Sequence, residues 1–393
     1  MTPTPPDPTR DWLIGQGLEG DGLGPLLQGS AERLVADGVP LWRAYLALPT
    51  VDPLIRVTNH VWRRDRGVTA EPIGHERFQP RIDESPIFAM LEQDLTRGRW
   101  RLGPADPPTG FTVVEDLRAE GATDYLVHLV GFGGRAATAL RGVALTFAAD
   151  VPGGFSDAAL ARLDAVAPTL ALAAYRIALL DVAVGVLDAY VGLDAGRRVL
   201  AGEIRRGHGE ALTAALLFAD LHGFTGTVEA AATSQERGVA FIARLGDHLA
   251  AMVEPVEARG GEVLKFLGDG LLAAFPYAPE AGPGEACAAA LAAARDALAR
   301  NVPLAADGQL GLDVALHLGT VFYGNIGAGQ RLDFTVIGPA VNELSRMEAL
   351  CGRLGQPLLF SAAFAECCGA PVRSLGAHVL RGLETPRELF APA

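Results

Sequence analysis

The stretch VLKFLGDGLLAAF, residues 263–275, constrains this chain more than any other. Two apolar runs flank Gly268, Asp269 and Gly270. Glycines accept backbone angles that other residues avoid, so the spacing predicts a β-hairpin with Asp269 at its tip and its carboxylate projecting from a sheet edge. Lys265 adds a cation inside an otherwise hydrophobic strand. A Gly-Asp-Gly turn is by itself most often structural, and the two charges acquire meaning only from their company.

That company lies on either side. The run ALTAALLFAD reads as a buried strand ending at Asp220, and LHGFTG follows it, where Gly223 lets backbone N–H groups approach an anion. Two carboxylates at strand ends beside an amide-rich turn suit hard, oxygen-seeking magnesium ions that also hold phosphates. Further on, in RLDFTVIGPAVNELSRMEAL, Asp333 and Thr335 are two apart and share a strand face, while Asn342 and Arg346 are four apart and share a helical face. A polar strand followed by an Asn/Arg helix can contact a base at one end and a sugar and phosphate at the other. Alone, each segment also has a plain account, as a solvated strand end or an amphipathic helix.

Together, FADLHGFT, GGEVLKFLGDGLLAAF and LDFTVIGPAVNELSR resemble, in order and spacing, the catalytic domain of class III nucleotidyl cyclases, over roughly 211–393. The resemblance implies a ferredoxin-like mixed α/β (α+β) domain acting as a head-to-tail homodimer with its active sites at the interface. It implies that Asp220 and Asp269 bind two Mg2+ ions, replaceable by Mn2+, and that Lys265 and Thr335 read the purine. Asn342 would orient the ribose, Arg346 would stabilise the pentavalent phosphate, and Leu221, His222, Gly223, Phe224 and Thr225 would wrap the triphosphate with backbone amides. Lysine donates to a ring-nitrogen acceptor of adenine and threonine accepts from the exocyclic amine, which favours ATP over GTP; guanylyl members typically carry glutamate and cysteine there. The expected reaction is ATP to cyclic AMP and pyrophosphate. A guanylate cyclase or a catalytically silent nucleotide-binding homologue is the alternative. One departure concerns the C-terminal phosphate-binding lysine of some relatives, where Leu383 stands; Arg381 and Arg387 are possible substitutes.

Before 211 the sequence is less specific. Residues 1–35 are expected as a tail and 36–156 as a GAF-like sensor domain, from strand-like runs such as TDYLVHLVGF and GVALTFAA between Pro/Gly-rich breaks. Residues 157–210 are expected as a linker helix and connector. In that helix Leu172, Tyr175, Leu179, Val182, Val186 and Tyr190 form an apolar stripe suited to a second subunit or to its own domain. Arg176 and Asp181 interrupt the run LALAAYRIALLDVAVGVL, which argues against a membrane span. His60 and Trp62 mark a pocket or, more simply, core, and any regulatory ligand of this half is unknown. The net charge of −13 argues against broad nucleic-acid binding. Four cysteines without ligand spacing, and no secretory pattern at the start, are expected of a cytoplasmic protein.

Overall fold

The computed structural model describes residues 7–393 except 53, 77–83, 134–139, 204, 206, 208, 279, 306–309 and 329–330. The chain forms two compact units, Met1–Leu193 and Asp194–Ala393.

The first unit begins with helices α1 (Pro8–Glu19) and α2 (Leu23–Ala36). Strands β1 (Leu41–Pro49), β2 (Ile55–Arg63) and β3 (Gly67–Gly74) follow. Next come α3 (Pro86–Glu92), β4 (Arg97–Arg101), α4 (Thr112–Ala119), β5 (Asp124–Gly131), β6 (Gly142–Ala149) and α5 (Asp157–Val191). The six strands make one sheet in the order β3-β2-β1-β6-β5-β4, antiparallel at every pairing. Helices cover both faces. On one, Leu13 of α1, Leu26 and Leu34 of α2 and Leu163, Leu170 and Ile177 of α5 bury Leu46, Trp62, Leu126 and Phe147. On the other, Met90, Val114 and Leu117 close over Tyr125, Val127 and Ala148. Strand alternation sends Leu126 to one core and its neighbours Tyr125 and Val127 to the other, which explains why β5 is an almost unbroken apolar run.

Two expectations are corrected here. Residues 8–36 are not a tail: Asp7 caps α1 by accepting from the Arg10 N–H, and Leu13, Leu26, Leu27 and Leu34 are fully buried. Burial outweighs the glycines that break the helical pattern in the sequence. In α5 the face packed on the unit's own sheet is Leu163, Val166, Leu170, Ala174 and Ile177; of the expected stripe, Tyr175 and Val182 pack on this same core, whereas Leu172, Leu179 and Tyr190 are 65%, 42% and 85% exposed. By length and composition alone α5 is apolar enough to cross a membrane. Here its inward face belongs to a packed core, and Arg176 Nη1 donates to the Gly20 carbonyl.

Helix α6 (Leu193–Leu200) leads into the second unit: β7 (Gly209–His222), α7 (Phe224–Ala231), α8 (Gln235–Glu257), β8 (Glu262–Leu267), β9 (Gly270–Pro276) and α9 (Gly284–Leu304). Then follow β10 (Gly311–Ala328), β11 (Arg331–Ile337), α10 (Pro339–Glu348), α11 (Cys351–Leu354), β12 (Leu358–Ser361), α12 (Ala362–Cys367), β13 (Val372–His378) and β14 (Arg387–Pro392). The sheet runs β13-β14-β12-β10-β7-β9-β8, with β11 paired to the far half of β10. Met252 and Val256 of α8 and the small residues Cys287, Ala290 and Ala294 of α9 pack on Leu217, Leu271, Phe275 and Val314. Helix α10 lies against β10 and β7. Gly319 permits this approach, because a Cβ there would stand 2.7 Å from the Ala340 Cβ. The mixed α/β class expected for this half is observed.

Candidate active site

Strands β7 and β10 are antiparallel with Asp220 opposite Asp313. Beside them β8 and β9 form the hairpin expected from the sequence, closed between Leu267 and Gly270, with Gly268 at φ +72° and Asp269 in the turn. Gly270 fixes the turn against β7: a Cβ there would lie 2.4 Å from the Ala219 carbonyl oxygen and 2.5 Å from Asp220 Oδ1. Only glycine lets the tip come this close. The hairpin also contains a bulge at Leu264, since Val263 faces Ala273 while Lys265 already faces Leu272.

The resulting carboxylates repel one another. Burial first, then the charges of Asp269 and Asp313, push Asp220 up to about 6. Burial raises Asp269 as well. Glu348, at the end of α10, is pushed up to about 7 by burial and by Asp220, Asp313 and Asp269. Asp313 and Glu348 were not singled out from the sequence. A lone carboxylate in the apolar run GLDVALHLG is the same kind of signal that marked Lys265, whereas Glu348 reads as an ordinary charge on an amphipathic helix. Partly buried carboxylates gathered around Asp220, which burial and its neighbours disfavour as an anion, fit a hard divalent cation. Among the described residues no three acidic, histidine or cysteine side chains converge on one point. Asp220 and Asp269, the pair expected from the sequence, both lie in this acidic group; if they hold a cation, backbone, water or substrate oxygens would complete the coordination.

Next to Asp220, the expected phosphate loop divides. Leu221 is buried in the core, so it offers only its backbone, and Phe224 is half-buried against Phe241 with ring centroids 5.5 Å apart. His222 and Gly223 are exposed. Gly223 is left-handed at φ 87° and precedes α7 with no side-chain cap, which leaves the first N–H groups of that helix open to an anion. Thr225 lies in α7, and its side chain is outside the described residues. His222 Nδ1 is 3.3 Å from Asp313 Oδ2, and Gly311 leaves room for the imidazole, since a Cβ there would stand 2.0 Å from the ring.

Lys265 Nζ donates to the Asp333 carboxylate and, at 3.4 Å, to Thr335 Oγ1. The proposed purine-reading pair is thus brought together by β8 and β11, with Asp333 as a third member. Asn342 is exposed on α10, and Arg346, one turn later, lines a cavity of about 650 Å3 with Arg353, Arg381 and Gly382. Arg387 donates instead to Glu343 at 3.3 Å. Of the two possible replacements for the phosphate-binding lysine, Arg381 therefore faces the Arg346 cavity and Arg387 is held by a carboxylate. No hydrogen bond or ion pair links the Asp220/Asp269 group to Lys265, Asn342 or Arg346 among the described residues.

The second unit has relatives among known proteins. The family described as the adenylate and guanylate cyclase catalytic domain matches residues 209–356. A Mycobacterium tuberculosis (strain ATCC 25618 / H37Rv) protein described as uncharacterized is 34% identical over 210 residues, 51% of this chain and 37% of that one. Adenylate cyclase 1 of Rhizobium meliloti (strain 1021) is 29% identical over 180 residues, 44% of this chain and 26% of its own. Adenylate cyclase of Anabaena cylindrica is 29% identical over 163 residues, 40% and 31%. The chain spans well under half the length of these curated relatives. Among solved structures, a bacterial light-regulated adenylyl cyclase aligns with a TM-score of 0.46 at 24% identity, covering 58% of this chain and 64% of that one. The guanylyl cyclase Cya2 aligns at 0.38 and 25%, covering 46% and 92%. Residues 209–356 thus match the catalytic domain of the adenylate and guanylate cyclases.

Proposed function

We propose that the protein is an adenylate cyclase that converts ATP to 3′,5′-cyclic AMP and pyrophosphate, acting as a homodimer whose sites lie between subunits and whose first unit regulates the second. The observation that carries this reading is the half-buried pair Asp220/Asp269, with Asp220 disfavoured as an anion by burial and by its acidic neighbours, beside the uncapped N-terminus of α7: one group calls for cations, the other for phosphate oxygens. Two Mg2+ ions, or Mn2+, held by these aspartates would supply charge neutralisation at the reacting phosphate. The chain's own residues bind and orient. Backbone N–H groups from Gly223 onward hold the polyphosphate, Asn342 positions the ribose, and Arg346 meets the charge that builds up as the 3′-oxygen bonds to the α-phosphorus and pyrophosphate departs. The hydroxyl proton passes to solvent. Among the described residues, Arg346 and Lys265 make no hydrogen bond or ion pair with the aspartate group of their own chain, which supports completion of the site by a second copy. A cytoplasmic location fits this substrate.

Base choice rests on Lys265 and Thr335 and is supported by the two relatives named adenylate cyclases. A second reading has its own observation. Asp333, on Lys265, offers an acceptor for the ring N–H of guanine, which is what a guanylate cyclase requires. Incubating the full chain with ATP or GTP, with magnesium or manganese, and quantifying cyclic nucleotide and pyrophosphate distinguishes the two. Cyclic AMP as the main product is expected. Neither cyclic nucleotide under any of these conditions would remove the enzymatic reading.

A further inference from the structure

The cavity of about 650 Å3 in the second unit gathers more cationic groups than one catalytic arginine accounts for. Arg346 and Arg353 are seven apart on the run from α10 into α11. Ala349 and Leu350 between them keep right-handed helical angles, so Arg346, Ala349 and Arg353 line one wall. The other wall belongs to the segment 379–382, which joins β13 to β14. Leu380 is buried and anchors this segment, which leaves its neighbours Val379 and Arg381 outside. Gly382 follows at φ +75°, a left-handed conformation that favours glycine, and a Cβ there would stand 3.6 Å from Arg346 Nη2. The turn thus sets its backbone against the Arg346 guanidinium and delivers Arg381 to the same cavity.

None of the three arginines makes a hydrogen bond or ion pair among the described residues, and no carboxylate lines the cavity. In a chain of net charge −13, that sets them apart. Elsewhere in this unit Arg198 pairs with Glu210, Arg259 and Arg300 with Asp296, and Arg387 with Glu343. Guanidinium groups gathered without a counter-charge repel one another, and a multiply charged anion removes that cost.

We propose that Arg353 and Arg381, together with Arg346, form the subsite for the β- and γ-phosphates of the nucleotide and for the pyrophosphate that leaves. The nucleotide's identity rests on the cyclase reading above, whereas the preference for a polyphosphate rests on the arginines alone. Arg346 meets the α-phosphate, so cations that share its cavity are placed for the next two phosphates. A guanidinium presents paired N–H donors that match phosphate oxygens two at a time, and a diphosphate has oxygens enough for three such groups where a monophosphate does not. The same grip makes pyrophosphate a product inhibitor.

Arg353 and Arg381 are exposed, so glutamine at either position leaves the fold intact. Inorganic pyrophosphate and inorganic phosphate are titrated by calorimetry into the full chain in a chelator, where no cation bridges the ligand to the aspartates. Saturable binding of pyrophosphate is expected, with phosphate about tenfold weaker or more. Arg353→Gln and Arg381→Gln each weaken pyrophosphate about fivefold or more, the effect of losing one charge-assisted contact. Arg353→Lys and Arg381→Lys, which keep the charge and lose the paired donors, fall in between. With magnesium and the nucleotide that the protein turns over, each glutamine variant raises KM and the pyrophosphate inhibition constant about fivefold or more, and by more than it lowers kcat. The two arms fail separately. If neither nucleotide reacts, calorimetry still decides the cavity. Turnover with wild-type KM and wild-type pyrophosphate inhibition in both glutamine variants would overturn the subsite and leave the cyclase reading standing. No binding of pyrophosphate in chelator, equal binding of phosphate, or undiminished binding to both glutamine variants would overturn it as well.

Discussion

Replacing Asp220 with asparagine should make the metal-free protein more stable while abolishing its chemistry. Asp220 is pushed up to about 6 from an ordinary 3.8 by burial and by Asp269 and Asp313. At 1.36 kcal/mol per unit, ionising it near neutral pH opposes folding by at most about 3 kcal/mol. The side chain is only half-buried, and solvent screening reduces this to about 1 kcal/mol. For a unit of this size, that raises the transition temperature by about 2–4 °C. The sign follows from proton binding. The folded state holds the extra proton between about pH 4 and 6, so the native advantage is present below about 4 and is lost as pH rises through about 6. Wild type in a chelator should therefore lose stability over that window more steeply than Asp220→Asn. Differential scanning calorimetry of the full chain reads both curves, and excess magnesium should shift wild type upward more than the variant. A destabilised variant, or one with an unchanged magnesium response, would refute the argument that repulsion at this cluster is relieved by a cation.

Three further outcomes are expected. Gly270→Ala forces a Cβ against the Ala219 carbonyl and Asp220 Oδ1, and should destabilise the second unit by about 2–3 kcal/mol in a denaturant titration and lose turnover even where folded; wild-type stability would show that the hairpin tip is not so tightly held. Mixing inactive Asp220→Ala with inactive Arg346→Ala should restore roughly a quarter of wild-type activity, because half the dimers are mixed and each has one intact site; no recovery, with subunit exchange shown independently, would place each site within one chain. Lys265→Glu sets a carboxylate beside Asp333 and should lower ATP turnover more than tenfold, and only with Asp333→Asn added should GTP turnover rise, as measured by the two cyclic products; an unchanged ratio would remove Lys265 from base recognition.

The elements that carry the chemistry were legible because their residues are close in sequence. The hairpin, the helix opened by Pro339 and the strands at 211–220 and 331–337 fall where apolar periodicity and glycine place them. What could not be read depends on pairings between distant segments. Asp313 becomes part of the acidic cluster only because β10 runs antiparallel to β7 in one register, and Glu348 only because α10 lies across both strands. Likewise, the apolar faces of α5 are indistinguishable until the sheet selects one, and α1 and α2 look like a glycine-rich tail until that sheet is there to bury their leucines.

The bulge at Leu264 bears on which sequence changes this hairpin can absorb. Because strand side chains alternate, deleting Phe266 would absorb the bulge, pair Lys265 with Leu271 and turn it to the opposite side, away from Asp333 and Thr335, while Asp269 stayed in its turn; deleting Leu264 itself would leave Lys265 opposite Leu272. Length, more than identity, is what natural variation in this segment has to preserve. Drift here should accumulate as replacements, and a lineage that lost a residue between Lys265 and the turn would displace Lys265 before it displaced Asp269.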